Sequence, residues 1–179
     1  MRSIGTFAGV IVGVLLLSGC YGGGGTKRTF DGVAAGPRAL TGAPAVSFDV
    51  PSLAGVTDSL ASYRGKIVVM NLWATWCPPC KAEMPDLQRL WTIERAKGVV
   101  VLGVDQGESS GAVRAFTQRY GVTFPVLLDA DQQYGRAYAA LGLPTTVVVD
   151  RSGHIVAGID GLLTLAQMRQ AIAPVLAKR

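Results

Sequence analysis

The segment IVVMNLWATWCPPCKAEMPDLQRLW, Ile67 to Trp91, constrains the fold more than any other part of the chain. Residues 67–74 form a nearly continuous apolar run, which suits a β-strand buried on both faces. Residues 78–95 then show helical periodicity, with Met84, Leu87, Leu90 and Trp91 on one face. A strand buried on both sides needs helices on both sides, which commits the chain to a layered α/β architecture. At the junction of strand and helix stand Cys77, Pro78, Pro79 and Cys80.

The rest of the chain alternates in the same way. AVSFDV (45–50) alternates apolar and polar residues and predicts a strand, and SLASYRGK (59–66) predicts a helical turn closed by Gly65. VVVLGVD (99–105) and PVLLD (125–129) predict strands. Between them lies a helix over 109–121, with Ser109 or Ser110 as its cap and Gly121 as its stop. A short helix over 131–142 follows, then a hairpin of TTVVVD (145–150) and HIVAGI (154–159) around a glycine turn. The last helix, 164–179, is expected to break before Pro174, and Pro85 to kink the helix that follows the cysteines. This order predicts a mixed sheet covered by helices on both faces.

The N-terminus has a different character. Arg2 precedes a small and apolar run, Ile4 to Leu17, which is short for a membrane span and ends in LSGC. That pattern is an export signal, and the cysteine after Ser18-Gly19 resembles the lipobox of bacterial lipoproteins. The resemblance implies cleavage after residue 19 and a diacylglyceryl group on Cys20, which places the protein on the outer side of the cell membrane. An uncleaved membrane anchor is the alternative, and it leaves the domain facing outward as well. Residues 20–42 contain four consecutive glycines and read as a flexible tether. About twenty such residues reach roughly 25 Å, enough to hold a domain clear of the headgroups. The remaining residues, 43–179, suffice for one domain. The net charge of +5 is scattered, with no dense Lys/Arg run, so no nucleic-acid surface is read.

Of three cysteines, a lipidated Cys20 leaves Cys77 and Cys80. An oxidising compartment permits a disulfide between them. As a mere staple it closes a tiny loop and gains little. A zinc site needs two further ligands, and the only histidine, His154, falls in the predicted hairpin turn. Haem attachment needs histidine after the second cysteine, where Lys81 stands. Redox exchange fits the requirements. A helix N-terminus favours negative charge and so a thiolate. Cys77 is then the exposed attacking sulfur, and Cys80, one turn on, resolves the mixed disulfide. Pro78 and Pro79 suit a first helical turn and need no N–H partner there.

WATWCPPCKAEMP together with GLPTTVVVDRSG (142–153) resembles the thioredoxin superfamily, and within it the TlpA/ResA-like extracytoplasmic thiol–disulfide oxidoreductases. The resemblance covers about residues 43–179. It implies a thioredoxin-like α/β fold: a central mixed β-sheet flanked by helices, with an N-terminal β-hairpin and an inserted helix–strand segment over 109–141. It also implies that Pro144 is a cis-proline facing the redox pair and that Leu143 offers backbone groups to an extended substrate. Asn71 sits where cytoplasmic thioredoxins carry a buried acid, a role asparagine cannot fill. Glu83 matches an acid of the TlpA/ResA-like proteins and is placed to exchange a proton with Cys80; a solvated helix charge paired with Lys or Arg is the alternative. Trp73 reads as core, and Trp76 as an apolar shelf beside the sulfurs.

The sequence thus points to a membrane-tethered thiol–disulfide oxidoreductase whose catalytic residues are Cys77, Cys80 and Glu83. Trp76, Pro78, Leu143 and Pro144 are its substrate contacts. No metal or organic cofactor is required, since the Cys77–Cys80 pair carries the electrons. The resemblance implies protein thiols and disulfides as partners, apocytochrome c among them, with a membrane electron-transfer protein as the source of reductant and cytochrome c maturation as the role. The direction of exchange is open, because an oxidant that installs disulfides in exported proteins uses the same parts. A thiol peroxidase would need a lone cysteine in a different flanking motif. A copper metallochaperone or binding module would need His154 brought to the cysteines.

Overall fold

The computed structural model describes residues 40–177. The expected signal segment, Cys20 and the tether as far as residue 39 lie outside them.

The centre of the domain is a five-stranded sheet of order β5-β4-β3-β6-β7. Strands β3 (Ile67–Trp73), β4 (Val99–Gln106) and β5 (Val126–Asp129) run parallel. Strands β6 (Thr145–Val149) and β7 (Ile155–Asp160) complete it in antiparallel fashion. Helix α1 (Pro78–Glu94) links β3 to β4, and α2 (Ser110–Tyr120) links β4 to β5. The short α3 (Gln133–Ala137) lies between β5 and β6, and α4 (Leu165–Leu176) closes the chain.

The side-chain period of two divides β3 between two cores. Ile67, Val69 and Trp73 join Met84, Leu87 and Leu90 of α1, Phe116 of α2 and Ile172 of α4. Val68, Met70 and Leu72 face the other side and meet Leu60, Leu102, Tyr134 and Tyr138. Asn71 has the parity of Val69 and Trp73, so it points at α1. Every residue of β3 and β4 is buried, as a strand covered on both faces requires.

The helix caps follow the sequence signals. Ser109 accepts from the Ala112 N–H at the start of α2, and Gly121 ends that helix at φ 64°. Thr164 and Gln167 form a capping box on α4.

Three expectations are corrected. The strand over 45–50 shrinks to Val50–Pro51 (β1), which pairs antiparallel with Thr57–Asp58 (β2) as the N-terminal hairpin. The preceding backbone is satisfied instead by tyrosine hydroxyls. Tyr134 bonds both the N–H and the C=O of Phe48, and Tyr138 donates to the Val46 carbonyl. The helix over 131–142 is confined to Gln133–Ala137, with Ala139 at a positive φ of 49° just beyond. Helix α4 does not break at Pro174 but continues to Leu176. Pro174 is exposed, and the carbonyl its missing N–H releases belongs to exposed Gln170, which water can reach. Pro85 lies on the exposed face of α1, which runs from Pro78 to Glu94 with the proline inside it.

Candidate active site

The site forms where β3, β4 and β5 end, the usual place for function in a parallel α/β sheet. Strand β3 stops at Trp73, and the chain turns through Ala74, Thr75 and Trp76 into α1. Cys77 is the N-cap of that helix and the two prolines occupy its first positions, where no N–H partner is needed. Cys77 Sγ accepts from the Cys80 N–H at 3.2 Å, a helix-capping bond made by sulfur. Cys77 and Cys80 are joined by a disulfide with their Cα atoms 5.3 Å apart.

Neither sulfur is exposed in this state. Cys77 is 2% accessible and Cys80 1%, so the expectation of an exposed Cys77 is corrected for the disulfide form. The bond turns Cys77 inward toward Cys80, and both lie in the apolar cluster of Trp73, Ala74 and Met84. What faces solvent is the rim: Trp76, which is 64% exposed, with Pro78 and Pro79.

Leu143 and Pro144 are joined by a cis peptide bond. The Pro144 carbonyl accepts from the Gly161 N–H at 2.8 Å, and Thr145 Oγ1 bonds Asp160 Oδ1. These bonds hold the loop before β6 against the loop after β7. Leu141 is 84% exposed. Trp76, Gln106, Arg136, Ala140, Leu141 and Leu143 line an open cleft of about 380 Å³.

Glu83 lies in the second turn of α1 and is 1% exposed, so it is no solvated helix charge. Its Oε1 accepts from the Leu163 N–H at 3.0 Å and its Oε2 from Asn71 Nδ2 at 3.3 Å. Burial pushes this carboxyl up to about 7, against the lowering effect of those two donors. A group titrating there can take or return a proton under ordinary conditions. Asn71 does not replace the missing acid; it contacts the acid that α1 supplies.

Three features escaped the sequence reading. Thr75 is gripped by Glu108, through the Thr75 N–H at 2.5 Å and the hydroxyl at 2.6 Å. Asp105 is fully buried at the end of β4. The Asn71–Glu83 bond was signalled only by the parity of Asn71 in β3. His154 sits in the β6–β7 turn, where its Nδ1 lies 2.9 Å from Ser152 Oγ. Val149 at that turn pairs with Val68, whereas Thr145, beside the cis-proline, pairs with Leu72. The histidine is therefore at the opposite end of the sheet from the cysteines.

Residues 41–157 match the AhpC/TSA family. The thiol-disulfide oxidoreductase ResA of Geobacillus thermodenitrificans (strain NG80-2) is 39% identical over 129 residues, covering 72% of this chain and 74% of the relative. ResA of Bacillus subtilis (strain 168) is 36% identical over 153 residues, covering 85% of this chain and 84% of the relative. Among solved structures, a thiol:disulfide interchange protein of the thioredoxin family from Chlorobium tepidum TLS superposes with a TM-score of 0.68. It is 29% identical and covers 75% of this chain and 96% of its own.

Proposed function

The chain belongs to the AhpC/TSA family and is a thiol–disulfide oxidoreductase of thioredoxin-like fold, and from that premise we propose that Cys77 and Cys80 are its redox centre and that it reduces disulfides in exported polypeptides. The observation that carries the reading is the disulfide at the head of α1, where Cys77 Sγ accepts the Cys80 N–H. When the pair is reduced, the same N–H and the helix dipole stabilise a Cys77 thiolate.

The exchange takes two steps. The Cys77 thiolate attacks one sulfur of the partner's disulfide; a mixed disulfide forms and the partner's other sulfur leaves as a thiolate. Cys80 then gives up its proton and attacks Cys77 Sγ. The Cys77–Cys80 disulfide forms, the mixed disulfide breaks, and the partner departs as a dithiol. Glu83, buried one turn further along α1 and titrating near neutrality, accepts the Cys80 proton. No metal or organic cofactor enters, because the two sulfurs carry both electrons.

Trp76, Leu141 and Leu162 are three large apolar side chains left exposed on the loops that surround the disulfide. With Pro78 they form a surface on which a polypeptide docks, with the backbone of Leu143 and the cis Pro144 beside it. The export signal and Cys20 extend the reading to a lipid-anchored protein facing out of the cell. Its substrate is then the bridged Cys-x-x-Cys-His segment of apocytochrome c, and a membrane electron-transfer protein returns its electrons.

Two measurements test this. Cys80→Ser accumulates a mixed disulfide with a bridged Cys-x-x-Cys-His peptide, while Cys77→Ser is inert. If Cys80→Ser turns over normally, the assigned roles are wrong. Equilibration with a glutathione buffer sets the direction. A midpoint below about −200 mV supports a reductant, and one near −120 mV marks an oxidant.

A further inference from the structure

Glu108 stands on the loop between β4 and α2, and both of its carboxylate oxygens engage Thr75. Thr75 is two residues before Cys77, and Trp76 lies between them at the mouth of the cleft. Glu108 is held in turn by Asp105: the Glu108 N–H donates to Asp105 Oδ2 at 2.9 Å. Asp105 is fully buried and pairs across the sheet with Trp73, the last residue of β3, while its Oδ1 has no donor. Asp129, at the end of β5, accepts from Gln106 Nε2 at 3.2 Å and from the Tyr134 N–H at 2.8 Å. Among the described residues no group of three acid, histidine or cysteine side chains is arranged to hold a metal ion.

We propose that Glu108, seated on Asp105, is a positioning residue for the redox loop: its two-pronged grip on Thr75 sets the orientation of Trp76, and so the docking of a polypeptide disulfide beside Cys77. The inference rests on the docking role given to Trp76 above.

The arrangement is sensitive to protons. Burial is the largest influence on Asp105. Hydrogen bonding with the Glu108 side chain and like-charge repulsion from Glu108 and Asp129 raise it further, against the lowering effect of the Glu108 N–H, and the carboxyl is pushed up to about 7. The titratable groups that face it are Glu108 from the β4–α2 loop and Asp129 from β5. On the β3 side stand Trp73 and Thr75, which do not titrate in this range. A proton on Asp105 relieves the repulsion at the seat from which Glu108 holds the two Thr75 donors. Above about 7 two carboxylates face each other and the grip loosens. Docking therefore strengthens as pH falls through that value and weakens as it rises.

The test uses the full chain in its reduced form with two oxidants, a peptide closed by a Cys-x-x-Cys disulfide and hydroxyethyl disulfide. The ratio of their kcat/KM values cancels the titrations of Cys77, Cys80 and Glu83, which both reactions share. In the wild type this ratio falls about fivefold from about pH 6 to about pH 8, and Asp105→Asn removes the fall. Glu108→Gln, and independently Thr75→Val, raise the peptide KM about threefold to tenfold while kcat on hydroxyethyl disulfide is unchanged. Thr75→Val alters only the loop side of the contact, so the test survives if a carboxyl variant folds poorly. A wild-type ratio flat with pH, an unchanged peptide KM in Glu108→Gln and Thr75→Val, or equal losses on both oxidants would each overturn the proposal. In that case Trp76→Ala still raises the peptide KM; if it too has no effect, the docking reading fails instead.

Discussion

Asn71 and Glu83, twelve positions apart in the chain, meet in the core, where Asn71 Nδ2 donates to Glu83 Oε2 at 3.3 Å. The bond joins the middle of β3 to the second turn of the helix that begins at the redox pair. Asn71 Nδ2 also donates to Thr146 Oγ1 on β6, at 3.0 Å. The carboxyl one turn beyond Cys80 is thus fixed by Asn71 of β3, itself anchored to β6, and, through the Leu163 N–H, by the segment after β7.

Glu83 makes stability depend on pH with a definite sign. Its ordinary value is 4.5, and burial raises it to about 7 in the fold. Between those values the native protein keeps a proton that the unfolded chain has released. Its contribution is largest below about 4.5 and is lost as pH rises through about 7. The full effect is on the order of 3 kcal/mol. Chemical denaturation of Glu83→Gln should show a shallower loss of stability from about pH 5 to about pH 8, the remaining slope belonging to Asp105. At about pH 8 the variant should match or exceed the wild type, yet exchange disulfides at least about tenfold more slowly. An unchanged slope would remove Glu83 as the titrating group.

Replacing Asn71 acts on the same carboxyl from the other side. Its amide lowers the Glu83 value, so Asn71→Ala should raise it further. The acid limb seen in the pH profile of single-turnover reduction should move up by about one unit. The outcome that contradicts this is a slower variant whose profile keeps its midpoint.

Tyr134→Phe tests what holds the N-terminal segment in place. One hydroxyl accepts from the N–H groups of Phe48 and Leu60 and donates to the Phe48 carbonyl. Removing it leaves those backbone groups without their partner in a partly buried place, at a cost of about 2 kcal/mol. Proteolysis should then cut near residues 45–49 sooner than in the wild type, with disulfide exchange intact. Equal resistance to protease would show that the ring alone suffices.

What the sequence revealed and what it hid divide by the range of the contacts. The strand into Cys-Pro-Pro-Cys into helix was legible because the apolar run, the prolines and the cap all act within a turn or two. Ser109 and Gly121 were legible for the same reason. Residues 45–49 were misread because their alternation is that of a strand, while their backbone partners are tyrosines some ninety positions away. Glu108 carried no local signal because Thr75, its partner, is 33 positions distant. Asn71 was closest to legible. Strand parity put it on the α1 face, and Glu83 occupies the buried side of that helix with Met84 and Leu87. Pro174 was over-read as a break, since a helix tolerates the lost bond where the freed carbonyl meets water.

Trp76 is the side chain whose exposure most needs a reason. It is 64% accessible beside a disulfide that is itself almost fully buried. An indole left in water at that point adds little to folding, so Trp76→Ala should change the denaturation midpoint by no more than about 0.5 kcal/mol. Truncating an aromatic anchor at a docking surface costs more, about 1–2 kcal/mol, and should appear as a roughly tenfold rise in KM for a bridged peptide. Hydroxyethyl disulfide, which has no polypeptide to dock on the indole, should be reduced at the wild-type rate. Parallel stability and kinetic measurements on one preparation decide the matter. A large loss of stability would make Trp76 part of the core after all, and an unchanged peptide KM would place the docking surface elsewhere on the rim.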